Sequence, residues 1–99
     1  MRQVILDTET TGLDWRKGNR VVEIGCVEVL ERRPTGRTFH YYLNPERDFE
    51  PGAQEVTGLS LDFLADKPHF ADIADDFIAF IDGAELVIHN AAFDIGLRA

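Results

Sequence analysis

A chain of 99 residues with 44% hydrophobic and 10% aromatic side chains has the makeup of one small globular domain, or part of one, and not of a disordered segment. Its formal net charge of −8 argues against binding nucleic acid through a basic face, though not against a nuclease whose acids are neutralised by metal. The single cysteine, Cys26, cannot form an internal disulfide, which fits a reducing compartment such as the cytoplasm. No apolar run approaches the ~20 residues of a membrane span, and Met1-Arg2-Gln3 leads straight into a strand-like run, so no signal peptide or membrane association is expected.

Gln3 to Leu6 reads as a short buried strand, broken at Thr10-Thr11-Gly12. Between them lies Asp7-Thr8-Glu9. Strand side chains alternate, so Asp7 and Glu9 leave one face and Thr8 the other. Two like charges on one face repel unless they share a proton or a cation. A hard divalent ion such as Mg²⁺ prefers one or two carboxylates plus substrate phosphates. Leu13 to Arg20 is a polar loop whose Trp15 is expected to anchor it, partly exposed. Arg20 to Arg33 carries the longest strand signal, apolar on both faces in its first half and interrupted by Glu23 and Glu28, which are expected to be ion-paired or at an edge. Arg33-Pro34-Thr35-Gly36 suggests a turn, and Thr38 to Leu43 a third strand paired antiparallel with the second, where His40 is expected to be structural.

Asp48 to Asp66 is irregular, with short helical turns expected at Ala53–Val56 and Leu61–Leu64. A helix then starts after Lys67-Pro68. Phe70, Ile73, Ala74, Phe77, Ile78 and Ile81 define its apolar face, Asp72, Asp75, Asp76 and Asp82 its solvated one, and Gly83 its stop. Glu85 to His89 is a second buried strand, Asn90 an N-cap, and Ala91 to Leu97 the opening turns of another helix. The order β-β-β-α-β-α predicts an α/β sheet with an antiparallel hairpin on one side and parallel strands on the other. Parallel first and fourth strands would bring Asp94 to the rim that carries Asp7 and Glu9. Three such acids can hold two Mg²⁺ or Mn²⁺ ions ~4 Å apart, the arrangement that clamps both oxygens of a phosphoryl displacement, with Asp7 as the bridging ligand.

Val4-Ile5-Leu6-Asp7-Thr8-Glu9-Thr10-Thr11-Gly12-Leu13 resembles the first motif of the DEDD exonucleases, Val21-Val22-Glu23-Ile24-Gly25 the strand that follows it, and Glu85 through Asp94 the second motif. Tyr42-Leu43-Asn44-Pro45, Val56-Thr57-Gly58-Leu59 and Asp66-Lys67-Pro68 also fit. The resemblance is to the histidine subtype, closest to its proofreading branch, and covers essentially the whole chain. It implies a ribonuclease-H-like fold and two-metal, 3′→5′ removal of nucleotides from a DNA 3′ end, with Asp7, Glu9 and Asp94 as the catalytic, metal-binding carboxylates. It also implies that Thr10, Gly12, Leu13, Asn90 and Phe93 line the terminal-nucleotide pocket. The family's third motif, His-x-x-x-x-Asp, supplies a fourth carboxylate and a general base. His89 to Asp94 is not that motif, because Asp94 already serves as the third acid. Residues 1–99 are therefore expected to be the amino-terminal portion of one exonuclease domain, weak in metal binding and poor in hydrolysis alone, with polymerase and sliding-clamp contacts lying downstream.

Three other readings stay open at this level. The ribonuclease T and oligoribonuclease type uses the same active site on RNA. A non-catalytic nucleic-acid or partner-binding module would keep the fold without the chemistry. A haloacid-dehalogenase-type phosphatase would use Asp7 as a nucleophile, but Glu9 is one carbon too long for its second acid and no suitable lysine follows. Nucleotide-cofactor folds are disfavoured, since there is no Gly-x-Gly-x-x-Gly or Gly-Lys-Ser/Thr loop.

Overall fold

Alternating apolar residues in Arg2–Thr10 make a nine-residue strand, β1, which places Val4, Leu6, Thr8 and Thr10 inside. β1 belongs to a computed structural model that describes residues 1–88. β2 (Val21–Leu30) and β3 (Arg33–Tyr42) follow, then the short helices α1 (Ala53–Thr57) and α2 (Leu61–Leu64), the longer α3 (Phe70–Ile81), and β4 (Glu85–Ile88). The sheet order is β3-β2-β1-β4. β1 pairs antiparallel with β2 and parallel with β4, and β2 pairs antiparallel with β3, the mixed arrangement expected from the sequence.

Three details depart from the local sequence signals. The β2–β3 turn falls at Glu31-Arg32, both with positive φ (51° and 68°), ahead of Pro34 and Gly36, and β3 starts at Arg33. Pro34 is tolerated because β3 is the sheet's edge, and the ladder shifts register between Val27 and Val29 beside it. Secondly, the β1–β2 ladder slips beside Val21 and Val22, which are both buried as a strand apolar on both faces suggests. Glu9 pairs with Glu23 but Thr10 with Val21, so Val22 is the extra residue of a bulge. Thirdly, α3 buries Ile73 and Phe80, while Ile78 is 59% exposed. The face turned to the sheet therefore runs through Phe70, Ile73, Phe77, Phe80 and Ile81, rotated away from Ile78. Phe39 of β3 draws Phe77 and Phe80 inward, with ring centroids 5.9 and 5.7 Å away. Ile78 instead borders an apolar cavity of about 280 Å³ over Leu6, Leu86 and Ile88.

The helix is fixed at both ends. At its start the His69 amide donates to Asp72 Oδ2 at 3.0 Å, and the Asp72 amide donates to the His69 carbonyl at 2.9 Å. At its end Arg2 donates to the carbonyls of Phe80 and Asp82, satisfying acceptors the helix leaves open. Gly83, at φ 74°, then lets the chain reverse into β4. Asp75 and Asp76 are exposed, as a solvated face requires.

Candidate active site

On the sheet face opposite α3, Asp7 and Glu9 project from β1 two residues apart. Asp7 is exposed and Glu9 half-buried. Across β2, Asp7 faces Gly25 and Glu9 faces Glu23; one strand further, Gly25 faces His40 and Glu23 faces Tyr42. Glu9 thus has an acid beside it on its own strand and another directly opposite. Its carboxyl is pushed above the usual carboxylate range, first by burial, then by Asp7 and then by Glu23. His40 Nε2 lies 2.6 Å from Glu23 Oε2, so the imidazole answers Glu23. Among the described residues no three potential ligands gather closely enough to form a metal cluster.

The turn after β1 is held by its own hydroxyls. Thr10 Oγ donates to the Gly12 carbonyl at 2.6 Å, and Thr11 Oγ donates to Asn19 Oδ1 at 2.8 Å while accepting the Arg20 amide at 3.0 Å. The Glu50 amide donates to the Thr11 carbonyl at 2.8 Å, tying in the segment before α1. Gly12 is needed for close approach, since a Cβ there would stand 2.4 Å from Glu50 Oε2 and 2.5 Å from Asn19 Nδ2. With Thr10, Thr11 and Gly12 packed inward, Leu13 is thrust into solvent at 80% exposure. Trp15 is 39% exposed, with the Arg16 guanidinium 5.9 Å over its ring.

Of the residues singled out from sequence, Asp7 and Glu9 share one face, and Thr10, Gly12 and Leu13 form the turn beyond them. Asn90, Phe93 and Asp94 lie outside the described residues, as does His89. Sequence reasoning singled out Glu23, as a possible ligand more simply read as ion-paired or at an edge, and missed Glu50. Glu23 adjoins Glu9 through strand register and is held by His40, and Glu50 covers Gly12 through a long-range contact. Glu28, by contrast, is ion-paired as expected, with Arg2 Nε at 2.6 Å and Arg37 Nη1 at 3.1 Å.

A family model describing an exonuclease domain, RNase_T, matches residues 4–98. The chain belongs to this exonuclease family. Among its relatives, DNA polymerase III subunit epsilon of Rickettsia felis is 57% identical over 95 residues, covering 96% of this chain and 42% of that protein. The Escherichia coli subunit of the same name is 56% identical over 99 residues, covering 96% and 41%. The chain therefore spans about two fifths of the length of these relatives. Among solved structures, Exonuclease X in complex with 5′ overhanging duplex DNA matches with a TM-score of 0.73 and 32% identity, over 93% of this chain and 51% of that one. The mixed sheet is accordingly the ribonuclease-H-like sheet of exonucleases, and membership of this family runs against the phosphatase reading. No described helix is long and apolar enough to cross a membrane.

Proposed function

We propose that the chain is the amino-terminal portion of a proofreading 3′→5′ exonuclease domain that removes nucleotides from DNA 3′ ends by metal-dependent phosphodiester hydrolysis. The observation that carries the proposal is the Asp7–Glu9 pair: two carboxylates on one face, the second pushed up by burial and by acids on two sides. Such a pair is costly without a cation and suits a hard one, because all its donors are carboxylate oxygens. Asp7 and Glu9 would hold two Mg²⁺ or Mn²⁺ ions together with Asp94. When bound, the ions supply Lewis-acid activation of the phosphodiester and of water.

The chain's own residues do the positioning. The Thr10 and Thr11 hydroxyls lock the turn, so that Gly12 offers close backbone approach and Leu13 stands free to meet the terminal base. Asn90 and Phe93 would complete that pocket. The general-base histidine and the fourth carboxylate would come from a third motif beyond residue 99. The relatives' names, DNA polymerase III subunit epsilon, favour DNA over RNA and a role beside a DNA polymerase, and the single cysteine fits the cytoplasm. Polymerase and sliding-clamp contacts are assigned to the same downstream region.

The test is calorimetric titration of the purified chain with Mn²⁺, alongside nucleotide release from a 3′-labelled oligonucleotide. Weak, saturable Mn²⁺ binding that falls tenfold or more in Asp7→Asn is expected, about 1.4 kcal/mol, with little or no release. Equal binding by wild type and Asp7→Asn would overturn the metal assignment. Robust Mn²⁺-dependent release would show that no downstream histidine is needed.

A further inference from the structure

The pairing of Glu23 with His40 gives the acidic rim a feature that neither motif contains. Glu23 stands directly across from Glu9, close enough to raise its carboxyl. Left to itself, Glu23 would be a third carboxylate on the same face as Asp7 and Glu9. It is held instead by His40, on the strand farther from β1, at 2.6 Å. The contact is diagonal across the β2–β3 ladder: Glu23 pairs with Tyr42, and His40 lies two residues before Tyr42. The direction of the contact follows from the strand order. A bond to β3 draws the Glu23 carboxylate away from β1.

Two neighbours keep the imidazole in place. Tyr42 meets it edge-on, with ring centroids 4.9 Å apart. On the other side its row across β2 contains only Gly25, where a Cβ would be 3.7 Å from His40 Cδ2. That is ordinary van der Waals contact, so the ring lies low over the glycine with no side chain between it and the Asp7 row.

We propose that His40 is a positioning residue that clips Glu23 toward β3, leaving Asp7 and Glu9 as a two-carboxylate seat for a divalent cation on this side of the site. The clip acts through Glu23 and touches neither metal ligand. It rests on the reading of Asp7 and Glu9 as metal ligands given above. Freed from His40, Glu23 adds its charge to the seat and strengthens cation binding; neutralised, it weakens it.

Titration of the full chain with MnCl₂ tests this in a double-mutant cycle. His40→Phe keeps a ring against Tyr42 but cannot bind Glu23, and is expected to tighten Mn²⁺ binding about three- to tenfold. Glu23→Gln is expected to weaken it about threefold. The double variant is expected to match Glu23→Gln, about threefold weaker than wild type, because His40 then has no carboxylate to clip, and His40→Gln, which can still donate to Glu23, should stay near wild type. A purely structural role for His40 would instead lower the melting temperature and leave the two substitutions additive. If His40→Phe does not fold, Glu23→Gln decides alone, because unchanged Mn²⁺ affinity there overturns the clip. Asp7→Asn is the control: if it abolishes binding while the His40 and Glu23 variants stay within twofold of wild type, the clip is wrong and the metal seat stands. If Asp7→Asn also changes nothing, the seat itself is wrong.

Discussion

β1 and β2 carry a glutamate cluster at each end, and the two are built to opposite rules. At the end nearest the chain's start, Glu28 is 6% exposed and surrounded by donors: Arg2 at 2.6 Å, Thr35 at 2.8 Å and Arg37 at 3.1 Å. The hydrogen bonds from Arg2 and Thr35 hold its carboxyl below the usual carboxylate range, and Arg37 adds to them against the opposing effect of burial. At the other end, Glu9 has Asp7 and Glu23 for neighbours and its carboxyl is raised. The same residue type on the same pair of strands is therefore satisfied by donors at one end and crowded by like charge at the other. The second arrangement does not help the fold, and it suits the divalent-ion seat proposed above.

The contrast breaks most visibly at the satisfied end. Arg2 binds Glu28, donates to the carbonyls of Phe80 and Asp82, and lies 5.7 Å from the Phe80 ring centroid. Arg2→Ala removes the shortest hydrogen bond to Glu28, leaving Thr35 and Arg37 to hold the carboxylate, and opens the carboxyl end of α3 at once. A loss of about 2 kcal/mol is expected from the hydrogen bonds to the α3 carbonyls, read as a lowered midpoint in urea unfolding. A loss below about 1 kcal/mol would mean that Thr35 and Arg37 suffice for Glu28 and that the α3 carbonyls do not need Arg2.

The second prediction concerns pH and the same glutamate. Because its folded pKa is depressed, Glu28 contributes stability above its unfolded value near 4.5 and loses it as pH falls through the lower folded value. Unfolding midpoints measured downward from pH 5 should therefore drop, and Glu28→Gln should flatten that drop while lowering stability at pH 7. An unchanged slope in Glu28→Gln would place the acid sensitivity elsewhere.

These two ends were unequally legible in the sequence. Asp7 and Glu9 could be placed on one face because period-two alternation is a local property. That Glu23 joins them could not, because it depends on the β1–β2 register and on the bulge at Val22, which nothing within either strand announces. The hairpin turn was misplaced for a related reason. Pro34 and Gly36 look like turn residues, yet the reversal uses Glu31 and Arg32 at positive φ, and the edge position of β3 absorbs the proline. On α3 the 3.6-residue period identified the helix but drew its face through Ile78; Phe39, far away in sequence, draws Phe80 inward instead. The salt-bridged fate of Glu28 was foreseeable from its setting, but its partner Arg2, 26 residues away, was not.

The smallest effect sharpens the comparison most, because its sign is opposite to the others. Glu9's folded pKa is raised, so its charged form is disfavoured in the fold and the metal-free chain is strained wherever Glu9 is ionised. Stability linked to this group is present below its unfolded pKa and is lost as pH rises through the folded one. Glu9→Gln removes the charge while keeping the shape, so the metal-free chain at pH 7 should become more stable. Glu9 is only half-buried, and solvent screening limits the gain to about 0.5 kcal/mol. The same substitution should weaken Mn²⁺ binding, whereas Glu28→Gln should do the reverse on both counts, lowering stability and sparing Mn²⁺. Thermal melts with and without MnCl₂ measure all four values. If Glu9→Gln destabilises the metal-free chain, the carboxylate is serving the fold, and the distinction between the two ends of β1 collapses.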